Sequence, residues 1–86
     1  MKQFVAEMKK LAALQGWSIY DMRGSRYVLV RPPQLIFVEI RRSHKEKLTD
    51  EQLLWLTGLS KCGIDAVIWT LEDWTWVERT LECSCQ

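Results

Sequence analysis

Fifteen residues, Tyr27 to Arg41 (YVLVRPPQLIFVEIR), leave this chain little choice of fold. Two apolar runs flank Pro32-Pro33. Proline cannot extend a β-ladder, so each run must be its own strand, with the RPPQ loop turning between them. If Val30 pairs with Leu35 across that loop, Val28 faces Phe37 and Arg26 faces Glu39. Residues two apart on a strand share a face, so Leu35, Phe37, Glu39 and Arg41 all point one way. Arg26 then lies opposite Glu39, with Cβ atoms about 5 Å apart. A carboxylate inside LIFVEI needs such a partner or a chemical task, because burying an unpaired charge is costly.

The remaining elements read directly. KQFVAEMKKLAALQ (2–15) puts Phe4, Val5, Met8, Leu11, Ala12 and Gln15 on one helical stripe with lysines opposite, and Gly16 is its C-cap. WSIYDM (17–22) alternates as a strand, and Arg23-Gly24-Ser25 is turn material. After the charged loop Arg42 to Lys47, the T-x-x-Q capping box of Thr49 and Gln52 opens a helix running to about Cys62. Leu53, Leu56, Leu59 and Ser60 form its inner stripe, and Gly63 closes it. AVIW (66–69) is a short, continuously apolar strand, expected in the interior of the sheet. A last helix begins at Thr70 or Glu72 and continues to about Leu81. The order α-β-β-β-α-β-α makes a single α/β domain over 1–86, a mixed sheet flanked by helices, with its core at about 2–81 and a tail at 82–86.

At 86 residues the chain supports one modest core. No apolar run approaches the ~20 residues that cross a bilayer, and the amino terminus lacks the apolar centre of a signal peptide. The expectation is a cytoplasmic domain without a membrane. Cys62, Cys83 and Cys85 make no disulfide framework. Cys83 and Cys85 fall short of a zinc site with only His44 to add, and Cys62 reads as a small buried residue near a helix end. His44 itself is expected exposed and unassisted. Gly58, inside a helix, suggests close packing. Trp17, Trp55 and Trp69 are expected in the core. Trp74 and Trp76 cannot share a helix face, so one of them is expected to be partly exposed, as a self-association surface or a base-stacking platform, and the acidity of this end of the chain favours the first.

Charge is unevenly distributed. Arg23 to Lys47 holds seven basic residues against two acidic ones, while Leu48 to the end holds seven acidic residues against Lys61 and Arg79. A basic middle beside an acidic end is the electrostatic footprint of a one-sided surface for a polyanion such as nucleic acid.

With those residues in view, the run YVLVRPPQLIFVEIRRSHKEKLTDEQLLWL (27–56) resembles the small VRR-NUC branch of the PD-(D/E)XK nuclease superfamily. That branch carries patterns like PDLVLVRPPRLIFAELK, a short basic loop, LTPEQ and WL. AVIWTLEDWTWVERTL (66–81) is similar to its usual ending, so the resemblance covers roughly residues 16 to 81. It implies a restriction-endonuclease-like core and phosphodiester hydrolysis with Mg²⁺ or Mn²⁺, on nucleic acid and above all DNA. Homodimers and phage-encoded enzymes acting in the host cytoplasm are typical. Hard divalent ions take oxygen ligands, polarise the phosphate and supply hydroxide. Carried over residue by residue, Glu39 matches the motif glutamate, Arg41 stands at the lysine, and Gln52 matches the glutamine of the following helix. Asp21 falls at the end of the first strand, where many members have a histidine.

One departure dominates. The motif aspartate precedes LVLV, and Ser25-Arg26 stands there instead. A divalent ion about 5 Å from Arg26, at an effective dielectric near 20, would be repelled by roughly 6–7 kcal/mol. That amounts to about four to five decades of affinity. Arg41 keeps its proton and cannot act as a base. Arg26 is thus expected to plug the metal position by pairing with Glu39.

Three functions follow as expectations. The first is a nucleic-acid-binding protein with impaired or lost hydrolysis, its phosphate contacts made by Arg23, Arg41, Arg42, Lys45 and Lys47. The second is an active Mg²⁺- or Mn²⁺-dependent endonuclease in which Asp21 joins Glu39 as a metal ligand. The third is an inhibitor of phage type that binds another protein.

Overall fold

The computed structural model describes residues 2–82, and the tail cysteines Cys83 and Cys85 lie outside that range. The elements are α1 (Lys2–Leu14), β1 (Ser18–Asp21), β2 (Arg26–Arg31), β3 (Gln34–Arg41), α2 (Asp50–Lys61), β4 (Asp65–Thr70) and α3 (Trp74–Glu82). This is the α-β-β-β-α-β-α order expected from the sequence, folded as an α/β domain on a mixed sheet. Strand order is β1-β2-β3-β4, with β1-β2 and β2-β3 antiparallel and β3-β4 parallel. The Pro32-Pro33 loop sets the hairpin register as the pattern requires: Val30 opposes Leu35, Val28 opposes Phe37, and Arg26 opposes Glu39.

The two faces of the sheet are unequal. On one, Leu29, Ile36, Val38, Ile40 and Trp69 meet Met8 and Ala12 of α1 and Val77 and Leu81 of α3, all buried. Trp17 seals this side, with its Nε1 donating to the Leu81 carbonyl at 2.9 Å. Arg31 donates to the Gln15 carbonyl at 3.0 Å and stacks on Trp17 with its Cζ 4.6 Å from the ring centroid. The ends of α1 and α3 are thereby tied together. The other face carries α2 alone, and no residue of α2 is buried. Phe37 and Trp55 meet there edge to face, ring centroids 5.8 Å apart.

Four expectations need correction. β4 is an edge strand and not an interior one; its apolar run is covered by α2 and α3 from the two faces, which produces the same pattern. Leu53 is 53% exposed and so lies off the inner stripe that was expected to include it. Cys62 is exposed at the C-cap of α2, where its N–H bonds back into the last turn. Gly58 meets nothing within 4 Å of a Cβ built on it, so close packing does not explain it. Trp17 and Trp69 are buried as expected, and Trp55 is only half-buried. Of the α3 pair, Trp74 packs on Phe4 and Trp76 is the exposed member. Among the described residues, no helix is long and apolar enough to cross a membrane.

Candidate functional site

The carboxyl end of β3, the turn before β2 and the first turn of α2 converge on Glu39. Gly24, at φ +71°, lets the chain reverse between Met22 and Arg26, and Ser25 is then fixed by its carbonyl accepting from Ile40 N at 2.8 Å. That seats Arg26 directly across from Glu39. Arg26 Nε donates to Glu39 Oε1 at 3.0 Å, and its Cζ lies 4.7 Å from the centroid of the Trp55 ring. The guanidinium is thus held between a carboxylate and an indole, a cation–π contact on one side and an ion pair on the other.

The second oxygen of Glu39 is also committed. Gln52 Nε2 donates to Glu39 Oε2 at 3.2 Å. Gln52 Oε1 accepts from Arg41 Nη1 at 2.8 Å and from Thr49 N at 2.9 Å. The last of these is half of the capping box, completed by Gln52 N donating to Thr49 Oγ1 at 3.1 Å. One amide therefore caps the helix, orients Arg41 and satisfies Glu39. Arg41 Nη2 donates to the Lys47 carbonyl at 2.6 Å and lies 3.5 Å from Glu46 Oε1, while its Nε is buried without a partner. The short loop after β3 is pinned to the sheet by this guanidinium.

The network lies at the floor of an open basin with two lobes, about 410 and 470 Å³, which share Ser25, Glu39, Thr49 and Gln52. Arg23 stands at the rim of one lobe, Arg42 and Lys47 at the rim of the other. Lys45 is exposed on the same loop. Four of the five expected phosphate-contacting residues are therefore exposed around or near the basin. Arg41 is the exception: at 8% exposure, with its terminal nitrogens spent on Gln52 and Lys47, it is a structural cation rather than a surface one.

Asp21 is not brought to Glu39. It opposes Tyr27 in the β1-β2 ladder, and Tyr27 alternates with Arg26, so Asp21 projects from the opposite face of the sheet. There it pairs with Lys9 of α1 at 3.2 Å. The antiparallel alternation of WSIYDM against YVLV is the signal that would have placed it. Among the described residues no group of three His, Cys, Asp or Glu side chains gathers to hold a metal ion. The residues around Glu39 do not fit Mg²⁺ or Mn²⁺: one carboxylate has both oxygens engaged, and a guanidinium nitrogen lies 3.0 Å away where a second ligand would be needed.

A second polar cluster was missed in the sequence. His44 Nε2 lies 2.9 Å from Asp73 Oδ2, and Asp73 Oδ2 also accepts from Thr70 N at 2.8 Å and Thr70 Oγ1 at 3.0 Å. His44 is exposed as expected, but it has this partner. Burial pushes the Asp73 carboxyl up, and the bonds from His44 and from Thr70 outweigh that and hold it below the usual carboxylate range. Asp73 receives two bonds from a residue three before it, a spacing the sequence does contain. Its contact with His44, 29 positions away, leaves no local trace. The basic loop is thus fastened by Arg41 to β3 and by His44 to the start of α3. Comparison with protein-family models, curated proteins and solved structures finds no match for this chain.

Proposed function

We propose that this chain is a nuclease-fold protein of the VRR-NUC type that binds nucleic acid, DNA in particular, and has lost metal-dependent phosphodiester hydrolysis. The single observation that carries this reading is the pair between Arg26 Nε and Glu39 Oε1 at 3.0 Å, in the place where a relative would hold a metal ion between two carboxylates. Three features make the arrangement a settled state rather than a passing contact. Arg26 is stacked on Trp55, Glu39 is 2% exposed, and Gln52 occupies the remaining oxygen. The exposed cations Arg23, Arg42, Lys45 and Lys47 sit outside that network. They are free to meet phosphates without disturbing it.

Two measurements test this. The first compares the natural chain with Arg26→Asp on duplex, single-stranded, flap and junction DNA in Mg²⁺ and Mn²⁺. The natural chain is expected to cleave nothing, and Arg26→Asp to bind Mn²⁺ by calorimetry. Robust cleavage by the natural chain that Glu39→Ala abolishes would sink the proposal. The second is DNA affinity against salt. If the exposed cations contact phosphates, log K falls with log salt by roughly 0.7–0.9 per contact. A flat response removes the nucleic-acid part of the reading.

A further inference from the structure

Away from the basin, the sheet ends on β4, whose second edge pairs with no strand among the described residues. Beside that edge, on the α3 side of the sheet, lies a cavity of about 450 Å³. Trp76 and Thr80 line it from α3, one helical turn apart on a shared face. Val67 and Trp69, whose side chains lie on the same face of the sheet as the core, close it from β4. Trp76 is 59% exposed, so its indole is a flat wall with space beside it. Arg79 stacks on the same ring, Cζ 5.4 Å from its centroid, and adds a cation there.

Two polar groups reach this cavity without a partner of their own. The first is backbone. Thr70 N–H donates to Asp73 Oδ2 at 2.8 Å and its carbonyl accepts from Asp73 N at 3.0 Å, so both groups point away from β3. In a parallel pair one residue turns its N–H and C=O to the neighbouring strand, and the next turns both away. Ile68, which lines the cavity, therefore presents a donor and an acceptor outward on one strand edge. The second is His44. Its Nε2 is held by Asp73, 2.9 Å from Oδ2 and 3.1 Å from Oδ1, which leaves Nδ1 for a ligand. The loop that carries His44 also borders the basin: Arg42 and Lys47 line the basin, His44 lines the cavity, and Lys45 is exposed between them.

We propose that this cavity takes an unpaired nucleobase, stacked on Trp76 and held at its edge by the backbone of Ile68. A flat aromatic wall selects a planar ring system, and every base has such a face. Base edges set a hydrogen-bond donor beside an acceptor, which is the complement of one outward N–H and C=O. Backbone groups read that pattern without demanding a single base. A base is uncharged, so the acidic balance of this end of the chain does not oppose it. The flanking phosphates fall to Lys45 and Arg42 on the loop and to Arg79 on α3. The base belongs either to a strand or to a free nucleotide. A strand as the source rests on the proposed nucleic-acid binding; the cavity itself does not.

Two arms test this with the full chain at one salt concentration. Fluorescence anisotropy compares a blunt duplex, the same duplex with a short single-stranded overhang, and that overhang made abasic. Calorimetry measures adenosine monophosphate. The overhang is expected to bind about ten-fold or more tightly than the blunt duplex. Trp76→Ala and the abasic overhang should each erase that difference, with the circular dichroism of the variant unchanged. Nucleotide binding that Trp76→Ala removes, with no overhang effect, keeps the cavity and assigns it to free nucleotides. If the nucleotide binds in this way and no DNA does, the cavity stands and the nucleic-acid reading falls. Equal affinity for blunt and overhang DNA, with no Trp76-dependent nucleotide binding, overturns the proposal and leaves the salt dependence of blunt-duplex binding to decide that reading separately. An overhang preference that survives Trp76→Ala or the abasic overhang overturns it as well.

Discussion

Arg26 and Glu39 are bound to each other unequally. The arginine has an indole and some water to turn to, with 17% of its side chain exposed, whereas the glutamate side chain is 3% exposed. Removing the cation therefore costs more than removing a surface charge. Arg26→Ala should destabilise the fold by about 3–5 kcal/mol in urea unfolding, because it strands a buried carboxylate on Gln52 alone. The double variant Arg26→Met, Glu39→Leu should recover most of that loss, since an apolar pair of similar volume needs no charge compensation. Asp73 gives a second residue-level outcome. Its carboxyl is held low by His44 and Thr70, so the unfolded chain binds more protons than the folded one in the acid range. Its stability contribution is complete above the ordinary carboxylate value of about 4 and disappears as pH falls through the lower folded value. Urea midpoints between about pH 2 and pH 5 should slope upward with pH, and Asp73→Asn should flatten that slope.

At the scale of elements, α2 is the weakly attached one. It buries no residue, and Leu53 and Leu54 are 53% and 74% exposed. Its stability rests on the capping box and on local propensity, so Gly58 matters more here than in a buried helix. Gly58→Ala places a methyl in open space and should raise the unfolding free energy by about 1 kcal/mol, read as a higher urea midpoint. What was legible in advance followed from local rules. The Pro-Pro loop and period-two alternation fix the hairpin, and with it the Arg26-Glu39 contact. Thr49 and Gln52 announce the start of α2 through their spacing. The position of β4 was not legible, because an apolar run covered on both faces reads alike at the edge and in the middle of a sheet. Gln52 was readable as a cap, but its hold on Arg41 depends on how far α2 leans over β3. His44 and Asp73 meet only because two loops emerge at the same end of the parallel β3-β4 pair.

The whole molecule divides its labour between the two faces of one sheet. One face is a sealed apolar core under α1 and α3; the other keeps a polar network beneath a thin helix, with Arg23, Arg42, Lys45 and Lys47 exposed around it. A net charge of +1 hides this asymmetry. A further consequence comes from the Leu81 carbonyl, which receives Trp17 Nε1 across 64 residues and Arg31 Nη1 across 50. The core closes on the last turn of α3, and until that helix docks the apolar side of the first three strands is covered by α1 alone. Contacts this far apart in sequence tie closure of the core to the docking of α3, so the domain gains its structure cooperatively rather than strand by strand.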